Sequence, residues 1–174
     1  MDQHNSLDGA PGTTELVRLD TFRAVMATVC TPVSVITAMD GQRPHGTTVS
    51  AFASLSLEPP MVLVALALNS DLLRLVRATR RFGVNVLGRH QADLAQNFAR
   101  KGEDKFDDAE WCLAGGVPRL TGAPGWLVCQ VTELVPGGDH LVALGAVIEA
   151  ETGTGAPLTY HERRFGTHAA LEVA

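Results

Sequence analysis

The sequence predicts a mainly β protein with short helices, arranged as a Greek-key barrel. Three observations predict this class: apolar β-branched runs recur along the chain, the helical patterns are short, and strands and helices do not alternate in βαβ units. At 174 residues, 45% of them hydrophobic, the chain is long enough for one compact core. No repeat or low-complexity block divides it. We therefore expect a flexible polar tail over residues 1–14 and one domain over residues 15–174.

The first elements are predicted from caps, turns and apolar spacing. Asp20 is a plausible N-cap for a helix that Pro32 ends. A strand over residues 33–39 turns at Asp40-Gly41 into a second strand over residues 45–56. These patterns predict a helix followed by a β-hairpin.

The remaining elements follow the same logic. Residues 61–68 are continuously apolar, which indicates a strand covered on both faces. Ser70 or Asp71 is expected to cap the next helix. Further on we expect a strand over residues 82–87, a helix over residues 90–101 closed by Gly102, and strands over residues 126–135 and 140–150 joined by Pro136-Gly137-Gly138.

Composition argues against several classes of function. The net charge is −5 and no Lys/Arg cluster combines with stacking aromatic residues, so we expect no nucleic-acid partner. The longest apolar run is shorter than the ~20 residues that span a bilayer, and the start has no basic and apolar leader, so we expect no membrane partner and no signal peptide. Cys30, Cys112 and Cys129 form no CxxC pair, which predicts buried free thiols in a reducing cytoplasm.

Several catalytic motifs are also missing. The chain has no GxxxxGK[ST], GxSxG or HExxH, and its six histidines lack ligand spacing with any cysteine, so no metal site is expected. Gly153-Thr154-Gly155 is followed by Ala156-Pro157 rather than by a helix. A Rossmann dinucleotide site is therefore not predicted.

The most informative stretch runs from His45 to Pro60 and is rich in hydroxyl and small side chains. In isolation it fits a solvent-facing edge strand. It resembles, however, the pattern of the flavin reductase family, the small NAD(P)H:flavin reductase components of two-component flavin monooxygenases. The resemblance continues in the same order at Phe82-Gly83-Val84-Asn85-Val86-Leu87, Phe98-Ala99-Arg100-Lys101, Asp104-Lys105-Phe106, Gly138-Asp139-His140 and Pro157-Leu158-x-Tyr160.

The resemblance implies a fold, cofactors and partners. The fold would be the FMN-binding split barrel, a split β-barrel of Greek-key type that forms a homodimer. The cofactors would be FMN or FAD, with NADH or NADPH as hydride donor, and reduced flavin would pass to a separate flavin-dependent monooxygenase. Residues implied in flavin binding are Thr47, Thr48, Val49, Ser50, Ala51, Asn69, Ser70, Arg100, Lys101, Lys105 and Phe106, and His140 is implied in nicotinamide binding.

These roles have simpler alternatives. Ser70 fits either a helix cap or a phosphate ligand at a helix N-terminus. The cations after residue 99 also fit the helix dipole, and Asp139-His140 also fits a plain turn. Hydride transfer to a flavin needs stacked rings rather than a side-chain acid or base, so no catalytic side chain is predicted.

The sequence also departs from the family pattern at three places. Cys30-Thr31-Pro32 stands where Pro-x-Gly is common, in a loop expected to border the site; Ala51 replaces a frequent Ser, and Ala146 a frequent Glu. Two other functions stay open: a split-barrel module that binds flavin or haem without turnover, and an oxidase that retains its flavin.

Overall fold

The computed structural model describes residues 16–171. This part of the chain contains three short helices, α1 (Leu19–Ala27), α2 (Asp71–Thr79) and α3 (Ala92–Ala99). Its strands are β1 (Thr31–Pro32), β2 (Ser34–Asp40), β3 (Arg43–Val49), β4 (Phe52–Leu57), β5 (Pro60–Ala67), β6 (Arg81–Val86), β7 (Trp111–Ala114), β8 (Val117–Leu120), β9 (Gly125–Gly137), β10 (His140–Thr152), β11 (Leu158–His161) and β12 (Arg164–Thr167). The predicted tail over residues 1–14 lies outside the described residues.

One antiparallel sheet of seven strands organises the molecule. Its order is β3-β2-β6-β9-β10-β5-β4, so β3 and β4 are the two edges and hydrogen bonding does not close the barrel. β1, β11 and β12 form a small second sheet, and β7 pairs with β8 in a separate hairpin. The predicted mainly β class with short helices is confirmed.

The core lies between the large sheet and its helices. α2 places Leu73 and Val76 against Ile36, Val64 and Phe82 of the sheet. A second buried cluster joins the other side of β2 to α3 through Val35, Phe98, Leu120 and Leu158. Because each fully buried side chain of this size contributes about 1.5–3 kcal/mol, these clusters fix the positions of α2 and α3 on the sheet.

α1 is the exception among the helices. It buries no residue, and Phe22, Val25 and Met26 are all exposed. The predicted cap is wrong, because Asp20 lies in the first turn and Arg18 occupies the N-cap position. The helix also ends at Ala27, well before Pro32.

Several predicted strands and turns need correction. The strand expected over residues 45–56 is two strands, β3 and β4, which separate after Val49 and run to opposite edges of the sheet. β5 alternates between buried and half-buried residues, so in this chain it is covered on one face and not on both. The long hairpin turns at Gly138-Asp139, because β9 continues through Gly137.

The third helix and the cysteines also differ from expectation. α3 is shorter than predicted: extended Arg100 ends it, and Gly102 lies beyond in a loop. Cys30 and Cys112 are exposed, so only Cys129 matches the prediction of buried thiols. Burial raises the pKa of the Cys129 thiol to about 12, which keeps it protonated and unreactive.

The hairpins β7–β8 and β11–β12 were not predicted from the sequence. No helix within residues 16–171 is long and apolar enough to cross a membrane. Over the same residues, no group of three or more His, Cys, Asp or Glu side chains is placed to hold a metal ion.

Candidate flavin and nicotinamide site

A cavity of about 520 Å³ lies beside the large sheet. It lies between β3, the ends of β5 and α3, the start of α2 and the loop that follows α3. Nine of the predicted site residues line it: Thr47, Thr48, Val49, Asn69, Ser70, Arg100, Lys101, Lys105 and Phe106; His140 lines it too. Residues that are far apart in sequence therefore meet at one site.

The wall formed by β3 depends on close packing at Gly46. A Cβ atom at this position would lie 2.7 Å from the Phe98 ring and 3.3 Å from the Phe106 ring. These two rings make an edge-to-face contact with centroids 4.8 Å apart. Glycine thus lets β3 approach α3, and Phe106 supports the site from beneath the strand.

The hydroxyl of Thr48 connects the same strand to α3. Its Oγ1 donates to the Ala95 carbonyl oxygen at 2.7 Å. The hydroxyl proton of Thr48 is therefore used in a hydrogen bond within the protein. Only the lone pairs of its oxygen remain to accept a hydrogen bond from a ligand. Thr48 fits an acceptor for a ligand N–H, whereas no hydrogen bond within residues 16–171 uses the hydroxyl of Thr47.

Lys105 brings a fixed positive charge to the cavity. Its Nζ donates to the carbonyl oxygens of Gly46 at 3.2 Å and Phe98 at 3.1 Å. An ammonium group has three donors, so one remains for a ligand. Partial burial lowers the pKa of Lys105 from its ordinary value, because removing the ammonium from water disfavours its charged form.

The loop carrying Lys105 is tied down at several points. Asn97 Nδ2 donates to the Lys105 carbonyl oxygen at 2.7 Å, and the Arg100 guanidinium contacts the Asn97 side-chain oxygen. Glu103 pairs with Arg43 at the surface. Lys101 lines the cavity and makes no ion pair within residues 16–171. Arg100, Lys101 and Lys105 all line the cavity, and Asn97 contacts the first and last of them.

The N-terminus of α2 contributes to the same cavity. Ser70 occupies the N-cap position with extended backbone, yet its side chain makes no capping hydrogen bond. Both Asn69 and Ser70 line the cavity. Free backbone N–H groups, an uncommitted hydroxyl and the positive end of the helix dipole form the usual environment for a phosphate.

His140 lies at the start of β10 and also lines the cavity. Its Nδ1 is 2.7 Å from an Asp139 carboxylate oxygen, and this hydrogen bond lowers the pKa of Asp139. The backbone oxygen of Asp139 accepts from Leu68 N–H at 3.0 Å. The turn is thereby anchored to the end of β5, and the imidazole is oriented by its neighbour.

Two predicted residues lie outside this cavity. Ser50 lines two neighbouring cavities instead, and Ala51 is exposed at the break between β3 and β4. Of the unusual loop Cys30-Thr31-Pro32, Thr31 borders a smaller cavity together with Ser50. Ala146 is half-buried within β10, away from the cavity lining.

His45 and Asp71 also line the cavity but were not among the residues predicted from the sequence. His45 Nε2 is buried with no hydrogen-bond partner among residues 16–171. Burial and the nearby Arg43 lower the pKa of His45, which favours the neutral imidazole. The position of His45 at the start of the family pattern could have indicated that it lines the cavity. Asp71 was predicted only as a helix cap.

The cavity fits a flavin mononucleotide unit by its donor set. The loop after α3 and the start of α2 offer cations and an uncapped helix N-terminus for a phosphate, and β3 offers backbone groups and hydroxyls for a polar ring edge. The fold and this cavity together define a flavin-binding split barrel.

The comparisons with known proteins agree with this class. The flavin reductase like domain matches residues 26–169. The reductase component of 4-nitrophenol 4-monooxygenase/4-nitrocatechol 2-monooxygenase from Rhodococcus opacus is 41% identical over 145 residues, covering 83% of this chain and 78% of that protein. The NADH:FMN oxidoreductase of Rhodococcus erythropolis is 36% identical over 151 residues, covering 83% and 79%. The chain belongs to the flavin reductase family.

The solved structures give the same result. The NADH:FAD oxidoreductase of Streptomyces globisporus, in complex with NAD and FAD fragments, superposes with a TM-score of 0.83 at 33% identity, covering 90% of this chain and 98% of that one. The predicted split barrel, the oxidoreductase class, and the use of a flavin and NAD(P)H are confirmed.

Proposed function

We propose that this protein reduces free FMN or FAD with NADH or NADPH in the cavity beside β3 and releases the reduced flavin to a separate monooxygenase. The observation that carries the proposal is the cavity itself, in which basic side chains, an uncapped helix N-terminus and a polar strand line one space of about 520 Å³. Two relatives are named as the reductase component or subunit of a monooxygenase, which supports a monooxygenase as the partner.

The side chains of this site bind and orient. Ser70, Lys101 and Lys105 hold the flavin phosphate, while Thr47 and the backbone of β3 meet the polar edge of the ring system. When bound, the flavin supplies the hydride acceptor. His140, oriented by Asp139, positions the nicotinamide of the donor against it. Since alignment of the two rings accounts for most of the rate, no side chain has to transfer a proton in that step.

We also propose a homodimer, supported by an apolar outer face on the sheet. Half-exposed Leu63 pairs with Leu144 across β5 and β10, with Met61 and Val142 beside them. Ala65 and His140, on neighbouring positions, line the cavity, so this face is continuous with the site. Apolar patches of this kind usually mark interfaces. The three unpaired cysteines support a reducing compartment, the cytoplasm.

The test is a steady-state assay with each flavin and each nucleotide. Purified protein is mixed with NADH or NADPH and an excess of FMN, FAD or riboflavin, and nucleotide oxidation is followed by absorbance. We expect sustained turnover of free flavin, with lower Michaelis constants for FMN or FAD than for riboflavin. A single turnover of bound flavin would favour an oxidase that retains its flavin, and flavin binding without reduction would favour a binding module.

A further inference from the structure

An acidic side chain lies within the part of the flavin cavity that offers an environment for a phosphate. Asp71 is the first residue of α2, directly after Ser70 at the N-cap, and both residues line the cavity. A carboxylate in the first turn stabilises a helix, because it faces the positive end of the helix dipole. A ligand phosphate would approach the same helix end, so Asp71 and the phosphate bring like charges together.

The charge of Asp71 also acts on other parts of the cavity lining. Burial lowers the pKa of Lys105, and the Asp71 carboxylate opposes this shift. The same carboxylate opposes the lowering of the His45 pKa that burial and Arg43 cause. Lys105 lies on the loop after α3 and His45 on β3, so the field of Asp71 reaches groups on two other elements.

The lining as a whole holds more positive than negative charge. Its titratable groups besides Asp71 are Arg100, Lys101, Glu103, Lys105, His45 and His140. Glu103 is paired with Arg43 at the surface, whereas no ion pair among residues 16–171 includes Asp71. The basic side chains attract a bound phosphate and Asp71 repels it, and this repulsion grows with each charge that the phosphate carries.

FMN and FAD differ in that charge. A phosphate monoester such as that of FMN loses its second proton with a pKa of about 6, so it is close to doubly charged at neutral pH. Each phosphate of FAD is linked on both sides and carries a single charge throughout the neutral range. We propose that Asp71 is a specificity-determining residue whose carboxylate discriminates against the doubly charged phosphate of FMN and shifts the choice of flavin toward FAD. This inference rests on the proposed function.

The test measures flavin binding without turnover. Dissociation constants of FAD, FMN and riboflavin are obtained by fluorescence titration between about pH 5.5 and 8, a range that includes the second ionisation of the FMN phosphate. Asp71→Asn removes the charge, and Asp71→Glu keeps it. Asp93→Asn is the matched control, since Asp93 lies in the first turn of α3 and does not line the cavity.

We expect Asp71→Asn to tighten FMN binding about fivefold and FAD binding about twofold at the upper end of this pH range, because the carboxylate repels two charges in one phosphate and one in the other. The gain for FMN should shrink toward the gain for FAD below about pH 6, and riboflavin affinity should stay unchanged. Asp71→Glu and Asp93→Asn should keep the wild-type ratio of FAD to FMN affinity.

Equal gains for FMN and FAD, or no change in either affinity, would overturn the proposal. A loss of riboflavin affinity in Asp71→Asn would also overturn it, because the carboxylate would then bind the flavin rather than repel its phosphate. A protein that shows the expected affinities but does not reduce flavin with NADH or NADPH would contradict only the proposed function.

Discussion

At the scale of single residues, Ser70 has two candidate roles that the sequence left open, helix cap and phosphate ligand. It stands at the N-cap of α2 but forms no capping bond, while it lines the cavity. A capping Ser replaced by Ala costs about 1 kcal/mol of stability. The hydroxyl of Ser70 has no such bond to lose, so its contribution should appear in ligand binding.

We therefore expect Ser70→Ala to weaken FMN binding by about tenfold, the loss of one charge-assisted hydrogen bond, while riboflavin affinity and the thermal midpoint stay unchanged. Flavin fluorescence titration and thermal unfolding on one preparation check both points. A lower midpoint with unaltered FMN affinity would show instead that Ser70 is a cap.

His140 is predicted to serve the hydride donor and not the flavin, because the polar edge of the flavin is assigned to β3 whereas His140 lies on β10. His140→Ala should reduce kcat/KM for NADH several-fold to about tenfold and leave the FMN dissociation constant nearly unchanged. Asp139→Asn, which keeps a hydrogen-bond acceptor beside Nδ1, is the matched variant and should lose less. Normal NADH kinetics in His140→Ala would remove this residue from the site.

His45 gives the protein a predicted sensitivity to acid. Burial lowers its pKa below the ordinary 6.5, so below pH 6.5 the unfolded chain takes up a proton that the folded chain resists. The free energy of unfolding should therefore fall as pH decreases from 6.5 and level off below the folded-state pKa. His45→Gln should flatten this decrease when the free energy of unfolding is measured by urea titration at several pH values. An identical decrease in His45→Gln would contradict the assignment.

At the scale of elements, Asn85 joins the β7–β8 hairpin to the large sheet. Its Oδ1 accepts from Leu120 N–H at 2.8 Å, and its Nδ2 lies 3.3 Å from the Val35 carbonyl oxygen. Thr37 Oγ1 donates to the Pro118 carbonyl oxygen at 2.7 Å beside it. This buried polar group replaces strand pairing as the link between the two units.

Removing the hydrogen bonds of Asn85 should lower the free energy of unfolding. Asn85→Ala leaves the buried Leu120 N–H without a partner and creates a cavity, so we expect a loss of about 2–4 kcal/mol in the free energy of unfolding. Thr37→Val removes one bond of the same network and should cost about 1–2 kcal/mol. Urea denaturation measures both. A loss below that of Thr37→Val would mean that Asn85 is not the main link.

The residue types at each turn determined which strands and hairpins could be predicted from the sequence. Asp40-Gly41 supports left-handed backbone at Gly41, with φ of 59°, and the hairpin there was predicted correctly. The break at Ser50-Ala51 carries no Gly or Pro, so β3 and β4 were read as one strand. The turn at Glu162-Arg163 lacks the usual residues as well, and its hairpin was missed.

The sequence predicted most of the residues that line the cavity, but not their contacts. The resemblance pointed to Lys105, but its bonds to the Gly46 and Phe98 carbonyl oxygens depend on how β3 and α3 pack. Ser50 follows Val49 directly, yet it lies outside the flavin cavity because the chain leaves the sheet at that point. Such long-range placement cannot be obtained from residue spacing.

At the scale of the whole molecule, the apolar outer face of β5 and β10 predicts a homodimer. An obligate interface buries on the order of 2,000 Å² or more, and sedimentation at micromolar concentration should therefore show a species of twice 18.5 kDa. Leu63→Asp should yield monomers, whereas Leu113→Asp, an exposed apolar residue on the β7–β8 hairpin, should not. A wild-type species of 18.5 kDa alone would contradict the dimer.

Flavin reduction by this protein requires that the flavin bind in the cavity beside β3. The most direct measurement is a crystal structure of the protein with FMN. We predict the ring system along residues Thr47–Val49 and the phosphate within hydrogen-bond distance of Ser70 and Lys105. A flavin bound elsewhere, or a phosphate directed away from both residues, would contradict the assignment of this cavity as the site of flavin reduction.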